Sequence, residues 1–160
     1  MILLDTTVLV YAVGDDHELR EPARAIIEAV EAGAVQATTT IEVIQEFVHV
    51  RARRRDRADA AGLGRAYATL LSPLLQPTED DLERGLRLFE REERLVPFDA
   101  VLAATAISAK ADALISADTS FDGIRGLRWR DLAGLDVESP VTRVATVAAC
   151  ANDRRGVLRS

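Results

Sequence analysis

Four acidic residues, Asp5, Glu46, Asp99 and Asp118, stand at positions where the sequence could do chemistry. Asp5 follows the apolar run Met1-Ile2-Leu3-Leu4, and Asp118 lies two residues beyond Ala113-Leu114-Ile115-Ser116. Short apolar runs bounded by polar residues read as buried parallel strands. Ligands of open α/β sheets bind just outside the carboxyl ends of such strands. Asp99 opens the segment to Lys110, apolar nearly all round, which predicts a buried helix. Each acid has an ordinary explanation too. Asp99 suits a helix first turn, and Asp118 suits an Asx-turn. Taken together, Asp5, Asp99 and Asp118 map to one sheet edge that Glu46 could reach. Carboxylates packed together raise one another's pKa and cannot all stay ionised unaided. A divalent cation relieves that repulsion, and oxygen-only ligands suit Mg²⁺ or Mn²⁺ rather than zinc. Such a centre polarises a phosphoryl oxygen and activates a water for in-line attack.

The helix that carries Glu46 offers a second acid, Glu42. At 100° per residue, Ile41, Val43, Ile44, Phe47, Val48 and Val50 form a broad apolar face. Glu46 falls at its margin and Glu42 further toward solvent. An acid at the margin of a buried face is the one able to reach a cleft, so Glu46 is preferred.

The elements that must position these acids alternate along the chain. Met1–Leu4, Ala34–Thr38, Leu74–Gln76, Ala113–Ser116 and Gly126–Trp129 read as strands, the third of them weak. Helices are expected over Thr6–Val13, from Leu19 to Gly33, over Ile41–Arg55, and through Leu63 to Leu71, where Ser72-Pro73 closes the last. Thr78 and Asp81 resemble a capping box opening a helix through Leu82, Leu86 and Phe89. Strands alternating with helices indicate an α/β domain with a largely parallel sheet. The pattern weakens after residue 135, so residues 136–160 read as a C-terminal extension on a domain spanning 1–135.

Composition narrows the function. The 160 residues fit one domain, and a hydrophobic fraction of 48% is enough for a core. Aromatics at 4% argue against an aromatic base-stacking platform. A net charge of -6 opposes general attraction to polyanions, so nucleic-acid binding needs a local basic patch or bridging metal ions. With one cysteine, Cys150, no internal disulfide can form, and a thiolate zinc site is not expected. No apolar run spans a membrane, since the richest, Ala100–Ala109, is broken by Thr105 and Ser108. The N-terminus lacks a signal peptide's basic region, so the cytoplasm is the expected compartment.

At the level of motifs, Leu3-Leu4-Asp5-Thr6-Thr7-Val8-Leu9-Val10-Tyr11-Ala12 resembles the opening of PIN-domain proteins, especially VapC toxins. Thr40-Ile41-Glu42-Val43-Ile44-Gln45-Glu46-Phe47 resembles their second acidic motif, with the family's glutamate on Glu46. Pro97-Phe98-Asp99-Ala100-Val101-Leu102-Ala103-Ala104 resembles the third. Leu114-Ile115-Ser116-Ala117-Asp118 through Phe121-Asp122 resembles the fourth. Each motif alone is weak; the ordered set, over residues 1 to 135, is strong. Thr7 departs from it, because the family often has asparagine there. The segment from Asp136 onward has no counterpart in the resemblance.

The resemblance implies a PIN-like three-layer α/β/α domain around a mostly parallel sheet of about five short strands. It implies a Mg²⁺-dependent endoribonuclease, with Mn²⁺ able to substitute, that is the toxin of a type II toxin–antitoxin pair. Asp5 and Asp99 would be central metal ligands, and Glu46 and Asp118 would complete the pocket directly or through water. The Ser116 hydroxyl could orient a ligand or water. RNA would be cut to a 5′-phosphate and a 3′-hydroxyl. A cognate antitoxin would block the site, and the chain would form a homodimer.

Two other functions would also use an acid at the end of the first strand or the same fold. A phosphotransfer protein could use Asp5 as nucleophile. Dehalogenase-like phosphatases need a second aspartate where Thr7 stands, and receivers need a lysine after a late strand, whereas Lys110 precedes one. A non-catalytic PIN-like module is the other alternative; retention of all four acids argues against it. Arg51-Ala52-Arg53-Arg54-Arg55-Asp56-Arg57 is either a phosphate grip or a solvated helix end. Arg84, Arg87, Arg91 and Arg94 alternate with acids and read as a solvated face. His17 and His49 are expected on loop and helix surfaces, and His17 could touch substrate near the cleft.

Overall fold

The computed structural model describes residues 1–135. The extension from 136, including Cys150, lies outside the described residues. The strands are β1 (Ile2–Leu4), β2 (Ala37–Thr38), β3 (Leu114–Ser116) and β4 (Trp129–Asp131). The helices are α1 (Thr6–Ala12), α2 (Arg20–Glu31), α3 (Ile41–Ala52), α4 (Arg57–Leu70), α5 (Glu79–Arg91) and α6 (Pro97–Ser108). The strands form one sheet in the order β2-β1-β3-β4, parallel throughout. Every residue of β1 and β3 is buried, so both faces of the sheet centre are covered, as an all-parallel sheet requires. This is the expected α/β architecture.

The helices begin where side chains satisfy the free N–H groups of their first turns. Thr40 accepts from Val43 N–H, Asp56 from Asp59 N–H, and Thr78 with Asp81 closes the expected capping box. Pro97 opens α6, where its missing N–H costs nothing. Leu3, Leu4, Val8, Leu9, Phe47, Leu71, Leu114 and Ile115 are fully enclosed and form the centre of the core.

Three strand assignments change. Of the expected Ala34–Thr38 only Ala37–Thr38 forms β2. Leu74–Gln76 makes only a single bridge, Leu75 to Thr40, so four strands rather than about five form the sheet among the described residues. Pro73 and Pro77 bracket this segment and withhold two ladder donors. The last strand is displaced to Trp129–Asp131. Gly126 has φ +88°, which commits it to a turn rather than to a strand.

The topology positions the acids. From β1 the chain moves to β2 on one side, then returns to place β3 on the other. The carboxyl ends of β1 and β3 therefore flank a reversal of strand order, where a crevice opens beyond the sheet. Asp5 leaves β1 there, and Ser116 to Asp118 leave β3 beside it.

Candidate active site

Asp5 caps α1 and is only 4% exposed. Its backbone N–H donates to Ile115 O at 3.0 Å, which locks the end of β1 onto β3. Its Oδ2 accepts from Ser116 Oγ at 2.7 Å, Thr7 Oγ1 at 2.8 Å and Thr7 N at 3.4 Å. These bonds all fall on one oxygen, which leaves Oδ1 for another partner. Ser116 Oγ also accepts from Asp118 N at 2.9 Å, and Thr7 Oγ1 accepts from Ala117 N at 3.0 Å. Two hydroxyls thus stitch the turn after β3 to the start of α1. The threonine at position 7 orients Asp5 as an amide could.

Asp118 spends one carboxylate oxygen on its own turn, with Oδ1 accepting from Ser120 N at 2.8 Å. The Asx-turn and a place at the sheet edge are therefore compatible. Glu46 is exposed, and its Oε2 accepts from Thr6 Oγ1 at 2.6 Å. That bond ties the middle of α3 to the first turn of α1, next to Asp5. Within the first acidic motif, Thr6 carries little that sets it apart from its neighbours. Its signal was its position, a hydroxyl beside the capping aspartate. Glu42 also lines the groove next to Glu46 and Asp99, one turn back along α3.

Asp99, in the first turn of α6, is half-buried and its pKa is pushed up to about 7. Burial is the larger cause; the charges of Asp5, Asp118 and Glu46 add to it. Glu42 is not among the charges that act on it. The fold thus brings the four acids within electrostatic reach of one another. Among the described residues no lysine or arginine forms an ion pair with any of them.

Among the described residues, no three His, Cys, Asp or Glu side chains are grouped to hold a metal ion unaided. Magnesium does not need three, since it keeps several waters and takes one or two carboxylates plus substrate phosphate. The donor set suits such an ion: hard oxygens, one carboxyl driven toward its neutral form and, among the described residues, no ion-paired cation to balance the rest.

Other candidates resolve plainly. Lys110 lies in the turn between α6 and β3, and Asp112 N–H bonds to Met1 O. This puts the lysine by the amino edge of the sheet, opposite Asp5, so it cannot serve an Asp5 phosphoryl group. Asp122 ends the turn after Asp118 and is exposed; its carbonyl accepts from Arg94. Arg87 pairs with Glu83 and Arg84 donates to Ser108, as expected of a solvated face. The basic run divides. Arg51 donates to Asp59 and to Val13 O, and Arg55 to Asp15. Arg53 and Arg54 are exposed and outside the ion pairs. His49 is exposed on α3, and His17 is exposed in the loop after α1.

A groove of about 430 Å³ opens beside Asp99 and Glu46, walled by Leu82, Leu86, Phe98 and Val101. Phe98, next to Asp99, is 76% exposed. Nothing in the sequence pattern marks this apolar wall, although Phe98 lies within the third acidic motif.

Comparison with known proteins places these features in context. A family model described as "PIN domain" matches residues 2–127. Ribonuclease VapC7 of Mycobacterium tuberculosis is 57% identical over 122 residues, covering 76% of this chain and 84% of that protein. Ribonuclease VapC13 of the same species is 28% identical over 130 residues, covering 80% and 98%. Among solved structures, VapBC2 from Rickettsia felis, bound to a DNA fragment from its promoter, matches with a TM-score of 0.63 at 17% identity, covering 82% of this chain and 98% of that one. A toxin–antitoxin complex from Klebsiella pneumoniae matches with a TM-score of 0.59 at 23% identity, covering 79% and 95%.

Proposed function

Because this chain belongs to the PIN-domain family, we propose that it is an endoribonuclease, the toxin of a type II toxin–antitoxin pair, working with Mg²⁺ or Mn²⁺ in the cytoplasm. The observation that carries the reading is the meeting of Asp5, Glu46, Asp99 and Asp118, none of them ion-paired among the described residues. The 57% identical relative named a ribonuclease supports the same activity. Among the described residues no helix is long and apolar enough to cross a membrane.

Asp5 and Asp99 would hold the cation, with Glu46 and Asp118 beside them directly or through water. When bound, the cation would polarise a phosphoryl oxygen and lower the pKa of a bound water. The chain's own groups do the positioning. Ser116 and Thr7 fix Asp5 through Oδ2 and leave Oδ1 to a ligand. Thr6 holds Glu46 against the start of α1. Asp99, with a pKa of about 7, holds a proton for much of the time at neutral pH until positive charge arrives. Water attack on phosphorus, with loss of the 3′-oxygen, would leave a 5′-phosphate and a 3′-hydroxyl.

Arg53 supports an RNA substrate. It lies seven residues beyond Glu46, about 10 Å along α3 and within about 20° of the same face. A strand whose scissile phosphate meets the acids could place a neighbouring phosphate there. A cognate antitoxin would neutralise the toxin by covering the acidic site. A homodimer is supported by the outward apolar face of α5, where Leu82, Leu86 and Phe89 are all exposed.

The test is cleavage of bulk transfer and ribosomal RNA by the purified full chain. Cutting with Mg²⁺ or Mn²⁺, its loss in EDTA, and its loss in folded Asp5→Ala and Asp99→Ala variants are expected. Undiminished cutting by folded Asp99→Ala would sink the proposed site. Glu46→Gln should impair cutting more than Glu42→Gln; the reverse order moves the glutamate's role to Glu42.

A further inference from the structure

We propose that Tyr11 and His17 form a nucleobase subsite beside the acidic centre, which stacks the unpaired base flanking the phosphate to be cut. The proposal rests on the ribonuclease reading of that centre. The two rings are stacked, with centroids 4.6 Å apart and planes inclined by 26°. Tyr11 lies four residues after Thr7 in α1, so it occupies the same stripe of the helix, about 6 Å further along the axis. Thr7 itself holds Asp5 Oδ2 and meets the turn after β3. Tyr11 is therefore one helical turn from the threonine that holds the anchoring carboxylate, and about 9 Å along the axis from Asp5 itself, within the reach of a neighbouring nucleotide.

The pair is built to present a face. Tyr11 packs partly against the core, whereas His17 is exposed on top of it. His17 Nδ1 accepts from Leu19 N–H at 3.1 Å, which fixes the ring and leaves the neutral tautomer's proton on Nε2. The loop that carries it is pinned twice, Val13 O accepting from Arg51 at 2.9 Å and Asp15 from Arg55 at 3.1 Å. An ordered ring loses little freedom when a base stacks on it.

Charge decides between base and phosphate. Asp16 and Glu18 flank His17, both are exposed, and neither is ion-paired among the described residues. A phosphate meets two unpaired carboxylates there, whereas a base offers a neutral π-face. Unpaired bases stacked on aromatic and histidine rings are a common mode of RNA recognition. A count of Phe, Trp and Tyr does not include histidine, so the low aromatic fraction concealed this platform.

The experiment first maps a cut in bulk transfer and ribosomal RNA, then rebuilds it as a synthetic stem-loop. Wild type, His17→Ala and His17→Phe are compared on that stem-loop and on versions with an abasic nucleotide on either side of the cut. His17→Ala should raise KM roughly 5- to 100-fold, as loss of one stacked base implies, with kcat little changed. His17→Phe should restore KM. An abasic nucleotide on one flank should erase the difference between wild type and His17→Ala. An unchanged KM in His17→Ala, or the same KM difference on both abasic substrates, overturns the subsite and leaves the nuclease standing. Absence of any RNA cleavage by the wild type overturns the nuclease reading and the subsite with it.

Discussion

Asp5, Ser116 and Thr7 show how much rests on two hydroxyl groups. Asp5 is almost wholly buried, and its charge is tolerated because Oδ2 is bonded to both hydroxyls. A hydrogen bond to a charged group contributes about 1.5–3 kcal/mol. Thr7→Val should therefore lower cleavage by about 10- to 100-fold with the fold intact, whereas Thr7→Asn should keep most of the activity. Comparing single-turnover rates of the two variants checks this. Asp99 makes a prediction of opposite character. Its folded pKa of about 7 lies above the ordinary carboxyl value of 3.8. Between those values the folded state binds more protons than the unfolded state, so this group subtracts stability as pH rises from about 4 to 7. Asp99→Asn should raise Tm at pH 8 in EDTA and lose that advantage near pH 4. Thermal melts at the two pH values check it. In wild type, added Mg²⁺ should raise Tm at pH 8 and do so less at pH 5.5, where protons compete for Asp99.

Among the elements, α5 departs furthest from a simple amphipathic reading. Its apolar residues Leu82, Leu86 and Phe89 recur at helical spacing, yet they face outward. The helix packs on α6 through Gly85 instead, with Asp81 buried in the capping box. A Cβ at position 85 would stand 2.7 Å from Val101 Cα, and that neighbour is backbone that cannot swing aside. Gly85→Ala should thus destabilise the protein by about 1–3 kcal/mol, despite alanine's higher helix propensity. Chemical denaturation of both proteins measures the difference. At Gly64 the nearest contact is a methyl of Val48, which can turn, so Gly64→Ala should cost less.

At the scale of the molecule, the outward face of α5 and the bare ring of Phe98 leave apolar surface beside the acidic groove. Surfaces of this kind are usually covered by a partner. If that partner is a second copy, Leu86→Glu should shift the chain from dimer to monomer in sedimentation, with the monomer still folded by circular dichroism. An unchanged dimer would place the interface elsewhere. The basic residues carry a separate expectation. Arg53→Ala with Arg54→Ala should weaken RNA binding and reduce its dependence on salt by about one unit of log–log slope per lost phosphate contact. Arg51 is engaged with Asp59 and Val13, so its replacement should cost stability rather than the salt slope, whereas the exposed Arg55–Asp15 pair adds little stability.

What the sequence determined by itself was local and ordered. Apolar runs, caps and acidic strand ends appear in the chain as adjacent residues, so the α/β pattern, the capping box at Thr78 and the four acids were legible before any coordinate. So was the family, because its motifs keep their order and spacing. What only the tertiary structure decided was direction. The Leu74–Gln76 run has the composition of a weak strand, but two prolines leave it one bridge. The stripe on α5 looks the same in sequence whether it faces the core or solvent; close approach at Gly85 set which. Thr6 meets Glu46 across 40 residues, and Ser116 meets Asp5 across 111. Such pairings depend on how the sheet orders its strands, and no local pattern encodes that order.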